Sequence, residues 1–218
     1  PNDQNQVQTQ GAIKRFLALS PDSVPKTIFV AVAVCVVASM VVSAAAVALR
    51  PIQDVNALKD KQINILQVAG IYEPGTDVVK AFAAFEPHVL ELATGTFSTE
   101  FDAATFDDHA AADNPATSVA LEDDPAGSVR QSKFVTIYLL RDAAGAIDKV
   151  ILPIHGYGLW STLYGFIALE ENGNDIFGLQ FYDHAETPGL GAEVDNPRWK
   201  VLWNGKRLAD ESGELQIS

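Results

Sequence analysis

One run of residues restricts this chain more than any other. From Thr27 to Leu49 there is no charged side chain, and the apolar stretch Ile28 to Leu49 is 22 residues long. As a helix rising 1.5 Å per residue it spans roughly 33 Å, which matches a hydrocarbon core of about 30 Å. A single transmembrane helix over 27–50 follows. A cleaved signal peptide competes, because Ala44-Ala-Ala resembles a small-residue cleavage site, but the run exceeds a usual h-region. Ala31, Ala33, Ser39, Ser43 and Ala46 recur along it, a texture suited to packing against neighbouring membrane helices. Residues 1–26 are then a tail before the span, with a short amphipathic patch at Ala12 to Leu19.

The span divides the charge. Residues 1 to 50 carry a balance of +2, so the net charge of −13 leaves −15 on residues 51–218. No cluster of Lys and Arg is present there, which argues against nucleic-acid binding; the acid excess suits a solvated surface. Basic residues flank the span on both sides, Lys14, Arg15 and Lys26 before it and Arg50, Lys59 and Lys61 after, so charge alone sets no orientation. The one cysteine, Cys35, lies inside the span and excludes an intrachain disulfide or a cysteine-based zinc site. His88, His109, His155 and His184 show no metal-ligand spacing, so no metal is expected. The chain starts at Pro1 and stops at Leu215-Gln-Ile-Ser218 in what reads as a strand, so both ends are expected to be trimmed.

Beyond Arg50-Pro51, the spacing of Val55, Leu58, Ile65 and Val68 predicts a helix leading onto a domain. A second helix is expected from about Thr76 to Leu92, with Val79, Phe82, Phe85 and Val89 on one side and a kink at Pro87. Residues 102–130, rich in Asp, Ala, Pro and Ser, read as a long, mobile acidic loop. Strands follow. Lys133 to Arg141 and Lys149 to Ile154 form one hairpin, and Leu163 to Leu169 and Ile176 to Tyr182 form a second across Asn172-Gly173. Asn196 to Ala209, with Trp199, Leu202 and Trp203, is expected to cover the core. The fold class is α+β: a membrane helix, then an antiparallel sheet flanked by helices.

Two glycine-punctuated loops flank the second hairpin, Pro153-Ile-His-Gly-Tyr-Gly-Leu-Trp-Ser161 and Glu186-Thr-Pro-Gly-Leu-Gly-Ala-Glu193. Gly156, Gly158, Gly189 and Gly191 would let backbone approach a flat ligand. Trp160 and Leu190 offer apolar faces; Glu186, Thr187 and Ser161 offer polar contacts. Taken alone, these residues suit ordinary turns and core packing more readily than a pocket.

His155-Gly-Tyr-Gly-Leu-Trp160-Ser161, Gly178-Leu-Gln-Phe-Tyr182, Glu186-Thr-Pro-Gly-Leu-Gly191 and Asn196-Pro-Arg-Trp199, in that order, tip the balance. They resemble the FMN-binding domain of the C subunit of the sodium-translocating NADH:quinone oxidoreductase, with the G subunit of the electron-transport complex as a close relative. The likeness is densest from Pro153 to Lys206 and reaches the Lys61 to Gly70 run. It implies an FMN-binding domain over 51–218 and a flavoprotein that relays single electrons, with no catalytic acid or base and no turnover alone. It implies cofactor contacts at Gly158, Leu159, Trp160, Ser161, Glu186, Thr187, Gly189 and Leu190. It further implies an inner-membrane protein with a cytoplasmic amino terminus and a periplasmic flavin domain, in contact with lipid and with the other membrane and flavin or iron–sulfur subunits of its complex.

In that family FMN is joined by a phosphoester to a threonine in a Ser/Thr-Gly-Ala-Thr/Ser motif. Ala93-Thr-Gly-Thr-Phe-Ser-Thr99 lacks the alanine after glycine and sits far from the two loops, so the attachment threonine is expected beyond Ser218. A carboxylate at Glu186 touching the ring would lower its potential. Two alternatives stand beside this reading: a flavin-free, membrane-anchored scaffold, and the equivalent subunit of a ferredoxin-linked electron transport complex.

Overall fold

The computed structural model describes residues 11, 14, 16, 18–20 and 23–216. Half of the amphipathic patch expected at Ala12 to Leu19, and most of the 1–26 tail, lie outside them. The chain forms two compact units, Pro1–Asn56 and Ala57–Ser218.

Helix α1 runs from Val24–Val68, 45 residues with Pro51 inside it. The span expected over 27–50 and the helix expected beyond Arg50-Pro51 are therefore one element, continuous through Pro51. In its apolar part the mean hydropathy reaches 2.7, long and apolar enough to cross a membrane. The side chains there are exposed, Val47 and Met40 among them.

In the second unit, the last turns of α1 bury Ile65, Leu66 and Val68, while Leu58 faces solvent. In the first unit Val55 is exposed as well, so only half of the expected apolar stripe is buried. The helix stops at Gly70, whose φ of 73° no branched residue would adopt readily. Ile71 N–H donates to the Leu66 carbonyl and Gly70 N–H to that of Gln67, a Schellman closure.

A short helix α2, Val78–Phe82, is capped by Asp77, and the chain then enters strand β1, Phe85–Glu91. The helix expected through Leu92 is thus mostly strand. Phe85 and Val89, four apart, share one face in either geometry. Pro87 lies where β1 pairs on one side only, with Tyr138 of strand β5 (Phe134–Arg141), because β2 (Thr96–Phe97) reaches no further than Leu90. A proline is tolerated on such an edge.

The segment expected as an irregular acidic loop holds helix α3, Asp108–Asp113, and a two-stranded ribbon of β3, Ser118–Ala120, and β4, Arg130–Ser132. Its acids are local ties. Asp107 caps α3 through the N–H groups of His109 and Ala110, and Asp124 accepts from Ser128 and Val129.

Strands β5 (Phe134–Arg141), β6 (Ile147–Tyr157), β7 (Thr162–Glu170) and β8 (Ile176–Asp183) complete an antiparallel sheet in the order β2-β1-β5-β6-β7-β8. Both expected hairpins are present. Side chains alternate between faces: Phe166 and Ala168 pack under the end of α1 with Ile65, Leu66 and Phe85. Ile167 and Leu169 pack with Ile176 and Leu179 under Trp199 and Trp203. Helix α4, Pro197–Lys200, supplies Trp199, whereas Leu202 is exposed and does not cover the core as expected.

Pairing of β5 with β6 stops at Tyr138 and Ile151. Continuing that register would set Thr136 against Pro153, which has no N–H to donate. Asp108 fills the place, its Oδ1 accepting the Thr136 N–H at 2.8 Å and its hydroxyl at 3.1 Å. Burial pushes the Asp108 carboxyl upward against those bonds.

Candidate functional site

The two glycine-bearing segments meet at one end of β6, β7 and β8. Strand β6 extends to Tyr157, opposite Thr162, so the first loop is shorter than expected: the turn Gly158 to Ser161, closed by Gly158 N–H donating to the Ser161 carbonyl at 2.7 Å. The second begins after β8 and turns at Pro188-Gly189, where Leu190 and Ala192 donate to the Thr187 carbonyl.

Glu186 joins them. Its Oε1 accepts the N–H of Trp160 at 2.9 Å and of Ser161 at 3.1 Å, and the Ala185 N–H donates to Ser161 Oγ at 2.7 Å. Glu186 as a whole is only 6% exposed. The Trp160 N–H, seconded by Ser161 and Leu159, holds its carboxyl below the usual range against the opposing effect of burial. Its Oε2 is buried with no partner among the described residues.

The glycines serve that carboxylate. A Cβ at Gly191 would collide with Glu186 Oε2 and Cβ, and one at Gly158 with Glu186 Oε1 and Leu163 Cδ1. Two of the four glycines expected to admit a flat ligand therefore admit Glu186 instead. Gly156 lies in β6 at ordinary distance from Ala126. Gly189 faces open space at φ +75°, where its lack of a side chain serves the turn.

With the backbone fixed, the large side chains point away from the protein. Leu159, Trp160 and Leu190 are 65%, 64% and 65% exposed, and Tyr157 beside them is exposed too. Exposed apolar groups gathered on tied loops mark a surface for a ligand or partner rather than a packed core. That arrangement fits an aromatic cofactor: apolar side chains for its face, with Thr187 and Ser161 as polar neighbours. A shallow cleft of about 300 Å³ near α3, lined in part by Phe101, Thr105 and Phe106, shares no residue with either loop. Among the described residues no group of His, Cys, Asp and Glu could hold a metal ion.

Sequence reasoning did not find a ring of polar side chains beneath the loops. His184 Nε2 lies 2.8 Å from Asp195 Oδ2, Lys200 Nζ 2.8 Å from Gln180 Oε1, and Gln180 Nε2 3.1 Å from Asn64 Oδ1. Their spacing in the chain is irregular, and only the fold brings them together. The Ala93 to Thr99 lookalike lies at the β1–β2 turn, at the sheet edge opposite β8.

The chain is similar to known proteins in both sequence and fold. A family model described as the FMN-binding domain matches residues 158–216, the stretch that begins at the first turn. The C subunit of the Na(+)-translocating NADH-quinone reductase of Pseudomonas aeruginosa is 47% identical over 202 residues, covering 90% of this chain and 77% of that protein. The corresponding protein of Vibrio vulnificus is 45% identical over 201 residues, covering 91% and 78%. The crystal structure of Shewanella oneidensis NqrC matches with a TM-score of 0.69 at 33% identity, over 74% of this chain and 76% of that one. The C subunit of the Parabacteroides distasonis enzyme matches at 0.58 and 26% identity, over 77% and 74%. With both extended sequence likeness and a shared fold in hand, the chain belongs to the family formed by the C subunits of the Na(+)-translocating NADH-quinone reductase.

Proposed function

We propose that this chain is the FMN-bearing electron-transfer subunit of a membrane-bound, sodium-motive NADH:quinone oxidoreductase. The observation that carries the proposal is the tied pair of loops, with Leu159, Trp160 and Leu190 exposed around a buried Glu186, inside the stretch that matches the FMN-binding domain. When bound, FMN supplies the one-electron chemistry. The chain supplies placement. Leu159, Trp160 and Leu190 form an apolar seat that excludes water, Gly158 and Gly189 shape the turns, and Ser161 and Thr187 stand at the polar edge. Glu186 acts from beneath, fixing the turn through main-chain N–H groups.

The finer assignments belong to the same proposal. The cofactor is held by a phosphoester to a threonine outside these 218 residues, and residues 51–218 form its domain. Helix α1 crosses the bacterial inner membrane once, with the amino terminus cytoplasmic and the domain periplasmic. The other membrane and flavin or iron–sulfur subunits of the complex pack beside it. Mass spectrometry of the intact mature protein, isolated from its native membrane, is the decisive experiment. An added FMN mass and a fluorescent band that survives denaturing electrophoresis are expected. A colourless chain without the adduct would favour the flavin-free scaffold instead.

A further inference from the structure

We propose that His184 is a positioning residue for the two loops, held in one tautomer and tied through Asp195, Lys200, Gln180 and Asn64 to the last turns of helix α1. Its functional meaning rests on the loops being the flavin seat, but its hydrogen-bond geometry does not.

The backbone N–H of Glu186 donates to His184 Nδ1 at 3.3 Å. A ring nitrogen that accepts from an N–H carries a lone pair, so the imidazole proton is on Nε2. Nε2–H then donates to Asp195 Oδ2 at 2.8 Å. The His184 side chain is 12% exposed, so solvent competes little for either nitrogen. A proton on Nδ1 would set N–H against N–H and release the Glu186 backbone, two residues downstream, from which Oε1 reaches Trp160 and Ser161.

Asp195 is held in turn. Lys200 Nζ lies 3.8 Å from its Oδ1 and donates to Gln180 Oε1 at 2.8 Å. Gln180 Nε2 donates to Asn64 Oδ1 at 3.1 Å, and Asn64 Nδ2 to the Asp60 carbonyl at 2.8 Å. Both amides use oxygen to accept and nitrogen to donate, so flipping either would oppose like groups on both sides. The series runs from α1 across the outer strand β8, through α4 and the short turn Gly191–Asp195, to the loop that holds Trp160. Linked polar side chains of this kind resist piecemeal rearrangement. A change in the end of α1 therefore alters the fixation of the Trp160 turn without touching it.

The full-length protein in detergent, labelled with 15N-histidine, tests the tautomer directly. His184, identified by its loss in His184→Gln, should show an unprotonated Nδ1 and a protonated Nε2 at neutral pH; a protonated Nδ1 would overturn the proposal. Asp195→Asn, which keeps an acceptor for Nε2–H, should retain the signature that Asp195→Ala loses. Amide hydrogen exchange tests the coupling. His184→Gln should speed exchange at Trp160 and Ser161 roughly tenfold, and Asn64→Ala several-fold, with Ile151 and Ile167 amides unchanged as evidence of an intact sheet. The double variant should exchange no faster than His184→Gln alone. Distant, independent sites multiply their effects, so multiplied rates, or an Asn64→Ala variant with wild-type exchange at Trp160, would refute the connection. Neither readout requires flavin, so failure here and failure of the flavin adduct measurement are separate results.

Discussion

Glu186 accepts the backbone N–H of Trp160 at 2.9 Å, and this one bond, bridging 26 positions of chain, converts two turns into a single surface. The Trp160 indole is thereby displayed while its main chain is locked. Charge-assisted bonds to main-chain N–H groups are among the stronger kinds, and here they fasten the backbone of Trp160 and Ser161 in the candidate site.

Glu186→Gln keeps an acceptor but removes the charge. Because its carboxyl is depressed below the ordinary 4.5, the folded state binds the proton less readily than the unfolded state. The stability it contributes is present above pH 4.5 and is lost as pH falls through the lower, folded value. The difference in melting temperature between wild type and Glu186→Gln should be steady above that pH and shrink on acidification. With FMN attached, the same change should raise the flavin potential in a spectroelectrochemical titration; an unchanged potential would place the ring out of reach of the carboxylate.

Gly191→Ala and Gly189→Ala should part company. The first drives a Cβ into Glu186 and forces the loop to shift, an overpacking cost of about 1–3 kcal/mol. It should speed exchange of the Trp160 amide as well as lower the melting temperature. The second meets open space and carries only the left-handed backbone penalty, about 1 kcal/mol, with the Trp160 amide still protected.

Trp160→Ala should leave thermal stability within about 0.5 kcal/mol, since an exposed side chain buries little. The flavin of the loaded protein should nonetheless change its fluorescence and become more accessible to a collisional quencher. An unaltered flavin signal would remove Trp160 from the seat.

Asp108 is the opposite electrostatic case to Glu186. Burial raises its folded pKa, so stability falls as pH rises from the ordinary 3.8 through the raised value and is constant above it. Asp108→Asn, which still accepts from Thr136, should flatten that slope and match or exceed wild-type stability at pH 7. Asp108→Ala leaves the Thr136 N–H unpaired in the interior and should cost about 1–3 kcal/mol. Urea denaturation at pH 4 to 8 measures both.

The parts of the fold legible from residues alone are those governed by local rules. An uncharged run of apolar residues named the apolar part of helix α1, and Asn172-Gly173 named its hairpin. Phe85 and Val89 misled because a spacing of four satisfies helix and strand alike, and the sheet partner that decides, β5, lies far downstream in the chain. The acids of 102–130 looked like a solvated loop because their capping partners are main-chain N–H groups, which every sequence has. Glu186 was legible as part of the second loop but not in its role, for the same reason: it binds the backbone of Trp160 and Ser161, and no side-chain pattern records that. His184 and Asp195 had no motif at all.

Pro153 has a consequence for anyone trimming this domain. It leaves an aperture between two strands, and the stopper, Asp108, comes from a segment that looks dispensable on composition. Cutting that segment away would bare a raw strand border at Thr136, free to zip onto a second copy of the protein. A shortened version should therefore self-associate before it unfolds.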